Sequence, residues 1–339
     1  MMSRDKPRIA VAAGDPAGIG SEISIKAALD ARVRDACDPV MVGDAGVIER
    51  HARACGMNIE LRTIRRVADA VWARAAINVL DCGQPDLASL PFGTTSAASG
   101  RASLAFAAAA IKCALAGSVD AVVAAPQNET SIALAGIPFD GYPSFLARET
   151  GTDPNDVYLM LCLGGMRITY ATLHQSVRQA IAMLTPDKVL GTIRATDRAL
   201  RKLGIEAPRI AVGGLNPHAG EGGLFGSEER DIIRPAIEEA IAQGMNVEGP
   251  FAADTMFHLR GFDAVVVMLH DHGHIAAKLL APNATAALTI GTPILFSSVA
   301  HGSGHHIAGK GRADPAAMIA ALLLLAKTPR QIELQATPA

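Results

Sequence analysis

The chain has no long apolar run, no paired cysteines and no excess of charge of one sign, and each absence removes a class of function. Its longest unbroken apolar stretch, Ala316–Ala326, would span about 16 Å as a helix, roughly half the hydrocarbon thickness of a bilayer. A buried helix is expected there, and no membrane partner. The five cysteines, Cys37, Cys55, Cys82, Cys113 and Cys162, contain no CxxC pair. That pattern argues against a zinc-thiolate or disulfide framework and fits reduced thiols in a cytoplasm. With 31 Lys and Arg against 33 Asp and Glu, the formal net charge is −2, so there is no basic field to attract nucleic acid. The opening MMSRDKPRIAVAAGDP is interrupted by Gly14, Asp15 and Pro16 before a signal-type apolar core can form, and a cytoplasmic location is expected. No internal repeat and no Pro/Gly/Ser linker breaks the 339 residues. Two lobes sharing one continuous or crossed-over sheet are therefore expected.

What the chain does contain is an alternation of short apolar runs with helical stretches. Arg8–Ala13, Pro39–Val42, Asp120–Ala125, Arg167–Thr172, Arg209–Gly213, Ala264–Leu269 and Ala286–Ile290 read as strands. Such runs point to parallel strands buried in βα units. Helices are expected over Glu22–Leu29, over the Ala-rich Gly100–Gly117 and over Pro186–Leu203, which carries Arg and Lys near its end. The predicted fold class is α/β.

Nine of the ten histidines lie between residues 174 and 306, leaving only His51 before them. RITYAT ends shortly before His174, RIAVGGLNP runs into His218, and DAVVVML runs into His270. Each imidazole thus follows the carboxyl end of a predicted strand, the edge where open α/β sheets bind ligands. Three neutral imidazoles with an open position suit a catalytic divalent metal, zinc being the commonest case and Mg, Mn, Co or Fe the alternatives. No HExxH spacing exists, so the convergence rests on strand topology. The competing reading is that each histidine caps a loop or bonds a backbone carbonyl. In LHDHGH, Gly273 predicts a turn, with His272 and His274 near the site but not ligating. Asp271 and Asp254 are candidate partners of the ligands or proton-transfer groups, with a helix cap or turn residue as the alternative. His51 and His258 receive no role.

Two glycine-rich segments follow the same logic. GDPAGIGSE lies between the first strand and a helix, so Gly14, Gly18 and Gly20 allow close approach of a bound group beside a helix N-terminus. Its spacing is not GxGxxG, and no Rossmann fingerprint is read from it. HGSGHHIAGKGRADP, residues 301–315, gathers glycines, histidines, a Lys and an Arg into one loop. It suits a nucleotide with phosphates, or simply a solvated surface.

Taken together, GDPAGIGSE, GLNPHAGEGGLFGSEE, GPFAADTMF, the HDxG segment at His270–Gly273 with Lys278 beyond it, and HGSGHHIAGKGRADP resemble the 4-hydroxythreonine-4-phosphate dehydrogenase, or PdxA-like, family. The resemblance implies an isocitrate/isopropylmalate dehydrogenase-like fold: two α/β/α lobes with an active-site cleft between them. It implies a nucleotide-binding lobe over 1–128 plus 284–339, and a metal, substrate and dimerisation lobe over 129–283. It further implies a homodimer with a shared active site, NAD(P)-linked oxidation beside a divalent metal, and His174, His218 and His270 as the metal ligands. Lys278 would face the substrate, with Asp254 and Asp271 as acid–base or supporting groups. Gly14, Asp15, Gly18 and Gly20, with His301, Gly302, His306, Ala308 and Asp314, would hold the dinucleotide. In the related isopropylmalate enzymes an Asp suited to the adenosine ribose stands where this chain has His306, so NADP is an alternative to NAD.

The departures from the family pattern are specific. Where the vitamin-B6 enzymes show GHTEFLA, this chain has GYPSFLA, putting Tyr142 and Pro143 at two phosphate-donor positions. Ala287 and Phe296 replace an Asn and an Arg that bind substrate there, and the APINK segment becomes APQNE with Glu129. A phosphate monoester would lose its bidentate guanidinium. NETSIALAGIPFDGYPSFLA and KLLAPNATAALTIG resemble instead the terephthalate cis-dihydrodiol dehydrogenase branch, and a flat pocket lined by Tyr142, Ser144 and Phe296 suits a carboxylated ring. The expected reaction is NAD-dependent, metal-assisted oxidative decarboxylation of the terephthalate dihydrodiol to protocatechuate in aromatic catabolism. The alternatives are a dehydrogenase of a 4-phosphorylated hydroxy acid (4-hydroxythreonine 4-phosphate, or threonate or erythronate 4-phosphate) and a non-catalytic metal-binding protein on the same fold.

Overall fold

Short apolar runs become strands wherever both of their faces can be covered, and β1 (Arg8–Ala12) shows the pattern, since every residue after Arg8 is buried. The computed structural model describes residues 6–72, 76–83, 87–280, 285–299 and 301–327. The other strands in chain order are β2 (Asp38–Gly43), β3 (Glu60–Ile64), β4 (Ala76–Asp81), β5 (Ala121–Ala124), β6 (Tyr158–Leu163), β7 (Met166–Tyr170), β8 (Arg209–Gly213), β9 (Asn246–Phe251), β10 (Ala264–Val267), β11 (Thr285–Ile290) and β12 (Phe296–Val299). The chain divides into two compact units, Met1–Phe145 with Pro293–Ala339, and Leu146–Thr292. The first division falls inside the helix Tyr142–Thr150, whereas the sequence placed it at 128/129. The other expected boundary, at 283/284, lies outside the described residues.

In the first unit the strands run in the order β3-β4-β2-β1-β5-β12, and every pairing is parallel. Parallel neighbours need a crossover between them. The helices Gly20–Leu29 and Ala97–Leu115 supply two of these, and Ile23, Ile25, Phe106 and Ile111 on them are fully buried. The apolar C-terminal run forms the helix Ala316–Leu325 with Met318, Ala321, Leu322 and Leu325 fully buried, as its composition predicts. No helix among the described residues is long and apolar enough to cross a membrane. All five cysteines are free.

In the second unit the order is β11-β6-β7-β10-β8-β9. Here the expectation of parallel strands fails on one side: β6 is antiparallel to both β7 and β11. The reason is local. Only Gly164 and Gly165 separate β6 from β7, and two residues can close a hairpin but cannot carry a crossover. From β7 onward the pairing is parallel, with β10 between β7 and β8, and β9 outside β8. The carboxyl ends of β7, β10 and β8 therefore lie side by side, roughly 4.8 Å from one strand to the next.

His51, which the sequence leaves without a role, is a core residue. It is wholly inaccessible, its Nε2 bonds the Pro16 carbonyl at 3.0 Å, and its ring meets Phe92 edge-on at 4.7 Å. Burial pushes its pKa down to about 4 from an ordinary 6.5. The unfolded chain accepts this proton near pH 6.5 and the folded chain only near pH 4. Stability is therefore lost as pH falls through that window. Urea unfolding is expected to show a His51-dependent loss of about 2 kcal/mol between pH 7 and pH 5, which His51→Gln removes from the pH slope.

Candidate active site

The three histidines expected at a metal follow β7, β8 and β10 in the second unit, the strands whose ends the parallel pairing aligns. His174 and His270 meet, with ring centroids 5.8 Å apart. His218 lies on a separate loop that borders an open pocket of about 570 Å³ with Asp254, Asp271, His272, Phe257, Ile275 and Leu279. Among the described residues no three His, Cys, Asp or Glu side chains converge closely enough to hold a metal by themselves. The expected triad is thus present as a close pair and a third imidazole outside it.

The chemistry of the donors fits a divalent cation. His270 Nδ1 lies 2.7 Å from an Asp271 carboxylate oxygen, and His218 Nδ1 lies 3.2 Å from Glu221 Oε2. A carboxylate at Nδ1 favours the tautomer protonated there, leaving Nε2 as a neutral donor, the arrangement typical of metal-bound imidazoles. Asp271 thus touches the imidazole of His270, one of the three histidines expected at a metal. Asp254 is exposed and lines the same pocket as His218.

His218 is carried by unusual backbone. Residues 218–223 all have positive φ, including the non-glycine residues His218 (53°), Ala219 (52°) and Glu221 (44°). Each left-handed non-glycine residue costs about 1–2 kcal/mol, and such strain collects at functional sites. Glu229 holds the loop: one carboxylate oxygen accepts the Leu215 and Asn216 backbone N–H groups at 2.8 and 2.7 Å, and the other accepts from the Asn216 side chain at 2.9 Å. Burial opposes its charge, but these hydrogen bonds outweigh burial and hold its pKa below the usual range. A Cβ on Gly220 would come within 2.7 Å of that carboxylate, so the motif GLNPHAGEGGLFGSEE needs glycine there.

HDHGH does not form the expected turn. It opens the helix His270–Leu280, which puts His270 and His274 on one face. Their rings stack at 3.8 Å and 9°. His274 also lies 4.8 Å from the Tyr170 ring, and burial, then His270, then Lys278 and His174, push its pKa down to about 4. Lys278 is exposed and close enough to contribute to that shift. The sequence places His274 near the site without ligating, because a glycine at 273 predicts a turn. Gly273 is instead a contact residue, where a Cβ would stand 2.7 Å from Ile168 and from the Tyr170 ring and hydroxyl.

In the first unit the expected dinucleotide residues separate into two sets. Gly14, Asp15, Gly18, Gly20 and Ala308 are buried, and the space the glycines leave is filled by Pro126, Ser303 and Ala13 backbone. Their burial makes them a support for the loop above. Asp15 is its centre, 1% exposed: its carboxylate accepts the Ala17 N–H at 2.9 Å, accepts from the Ser99 hydroxyl and pairs with His305 Nε2 at 2.6 Å. Glu22, fully buried, accepts the Ala313 N–H at 2.8 Å and pairs with Lys26. On the loop so fastened, His301, Gly302, His306 and Asp314 are exposed. Asp314 also accepts the Ala316 N–H at 3.0 Å.

The expected ring pocket is corrected in part. Phe296 is fully buried within β12, so it lines no pocket. It lies beneath Tyr142, whose ring is 4.9 Å away and whose hydroxyl donates to the Ala125 carbonyl at 3.0 Å. Burial raises the Tyr142 phenol well above its ordinary pKa. Ser144 is half-buried on the same helix, and Ala287 is buried in the core of the second unit.

The family described as pyridoxal phosphate biosynthetic protein PdxA matches residues 35–325. A Clostridium botulinum protein provisionally named D-threonate 4-phosphate dehydrogenase is 38% identical over 96% of this chain and 98% of its own length. A 4-hydroxythreonine-4-phosphate dehydrogenase structure from Burkholderia phymatum matches with TM-score 0.89 and 37% identity over 96% of this chain and all of that one. A terephthalate 1,2-cis-dihydrodiol dehydrogenase structure from Burkholderia xenovorans is 43% identical, TM-score 0.74, over 95% and 98% of the two chains. Two substitutions test the local geometry by urea denaturation. Glu229→Ala, which strips the left-handed loop of its acceptor, is expected to cost about 3 kcal/mol, and Gly273→Ala, which crowds Tyr170, about 1–3 kcal/mol.

Proposed function

The chain belongs to the PdxA family and is a dehydrogenase, and we propose that it oxidises a carboxylated cis-dihydrodiol of the terephthalate type, with loss of CO₂, to protocatechuate. The observation that carries this reading is the state of four positions. Tyr142 spends its hydroxyl on Ala125, Phe296 and Ala287 are buried, and Pro143 has no donor to offer. None can supply the charge-assisted bonds that a phosphate monoester requires. A second reading, a dehydrogenase of a 4-phosphorylated hydroxy acid such as threonate 4-phosphate, is favoured by the provisional name of the Clostridium relative and by the name of the Burkholderia phymatum structure. The names weigh toward the phosphorylated substrate and the residues of this chain toward the carboxylated ring.

His174, His218 and His270 are the residues we assign to a divalent metal, zinc first, and the dinucleotide would rest on His301, Gly302, His306 and Asp314. When bound, these groups supply Lewis-acid polarisation of the substrate oxygens and a two-electron acceptor. The residues of the chain position and discharge the rest. Asp271 and Glu221 keep Nε2 of His270 and His218 free for the metal. Lys278 offers an exposed ammonium to a ring carboxylate, and Asp254 stands at the pocket where a hydroxyl proton can be taken. Hydride loss at the carbinol carbon beside the carboxylate-bearing carbon gives a β-keto acid. The C–C bond to the carboxylate then breaks, its electron pair enters the ring, CO₂ leaves, and tautomerisation gives the catechol acid.

A homodimer with a shared site accounts for His218 standing apart from the pair. Leu224, Phe225, Ile275, Leu279 and Leu280 are exposed apolar residues on the His218 loop and the His270–Leu280 helix, a surface suited to a second copy. The assay is NADH formation with terephthalate dihydrodiol against D-threonate 4-phosphate. Turnover of the diol alone is expected, and turnover of the phosphate ester alone selects the second reading. Comparing kcat/KM for NAD and NADP fixes the nucleotide. His218→Ala is expected to lose both bound metal and turnover, and a variant that keeps stoichiometric metal and full rate sinks the assignment.

A further inference from the structure

The geometry points to His274 as a positioning residue for His270, acting through the stacked pair of their imidazoles, which the tilted ring of Tyr170 backs. This rests on the metal reading above and concerns a residue outside the proposed ligand set. His270 is the first residue of its helix, where no preceding turn packs against the side chain and fraying is common. Its Nδ1 is held by Asp271, but that carboxylate is itself largely solvent-exposed. One in-plane hydrogen bond selects the donor nitrogen without fixing the plane of the ring.

The stack supplies the missing constraint. His274 lies flat on His270 at 3.8 Å and 9°, and its Nδ1 lies 3.3 Å from the His270 carbonyl oxygen, which ties its own orientation to the helix. Behind it stands Tyr170, 4.8 Å away and 2% exposed. Among the described residues the buried phenol hydroxyl has no hydrogen-bond partner, and what Tyr170 presents to His274 is its ring. Gly273 makes this possible, because a Cβ would collide with the ring and hydroxyl of Tyr170. In HDHGHIAAK, the glycine admits the tyrosine, the tyrosine backs one imidazole, and that imidazole aligns the next. The two Nδ1 atoms have separate partners, the Asp271 carboxylate and the His270 carbonyl, and the parallel rings are in face-to-face contact, which suits support of one imidazole by the other.

The test uses the full chain and Co(II), whose visible absorption reports both affinity and coordination geometry. His274→Ala is expected to weaken Co(II) binding about tenfold or more, the usual scale for loss of a group orienting a ligand, and to alter the absorption bands. His274→Phe keeps a flat ring and is expected to stay within about threefold of the parent. Equal Co(II) affinity and spectrum in His274→Ala would overturn the proposal, as would a Phe variant as weak as the Ala variant, since the nitrogen would then be what matters. If His274→Ala does not fold, Tyr170→Leu carries the same test by removing the outer ring. In the metal-free protein, the His270 ring protons are expected to show upfield ring-current shifts that His274→Ala abolishes and His274→Phe retains. A parent protein that shows those shifts but binds no Co(II) defeats the metal reading and leaves the stack standing, while absence of the shifts defeats the stack.

Discussion

Parallel hydrogen bonding of β10 to β7 on one side and β8 on the other is the constraint from which the candidate site follows. Ile168 pairs with Val265 and Ile210 with Ala264, so three strands run in the same direction and finish at one edge. Each is followed within a few residues by a histidine. Because parallel strands are joined by crossovers, the loops at that edge are free to differ. One opens a helix at once, one bends through the exposed segment around His174, and one takes a left-handed path to His218. The shared edge brings the imidazoles near one another, and the loops decide which of them meet.

In the other unit a single buried carboxylate plays the corresponding organising part. Asp15 binds its own turn, the helix Ala97–Leu115 through Ser99 and the histidine-rich loop through His305. An acid in such a place is tolerated because every oxygen is occupied. The result is a division of labour within GDPAGIGSE and HGSGHHIAGKGRADP: the buried residues fix where the loop stands, and His301, Gly302, His306 and Asp314 remain exposed on it.

Strands β1, β2, β5, β7, β8, β10 and β11 and the helices Gly20–Leu29, Ala97–Leu115, Pro186–Lys202 and Ala316–Leu325 are legible within a few residues, since burial on both faces and apolar periodicity are local signals, whereas β3, β4, β9 and β12 are not. The α/β class followed, and the motif set identified the family. The antiparallel β6 escaped, although its signal, two glycines between apolar runs, was present. HDHGH was misread because a glycine ordinarily marks a turn, and only the tyrosine lying against it gives this one its meaning. Phe296 was given to a pocket because the residue aligned with a substrate-binding position in relatives, yet an aromatic side chain where an arginine would reach out turns inward. The Glu229 anchor and the Asp15–His305 pair join residues far apart in sequence, and no periodicity reports such partners.

The left-handed run at residues 218–223 is costly at three of its six residues, His218, Ala219 and Glu221, while Gly220, Gly222 and Gly223 adopt it freely. Its shape is held from outside by Glu229, which bonds the backbone just before it. The position of His218 thus depends on a carboxylate further along the chain, so the imidazole can be displaced by a substitution outside the loop that carries it.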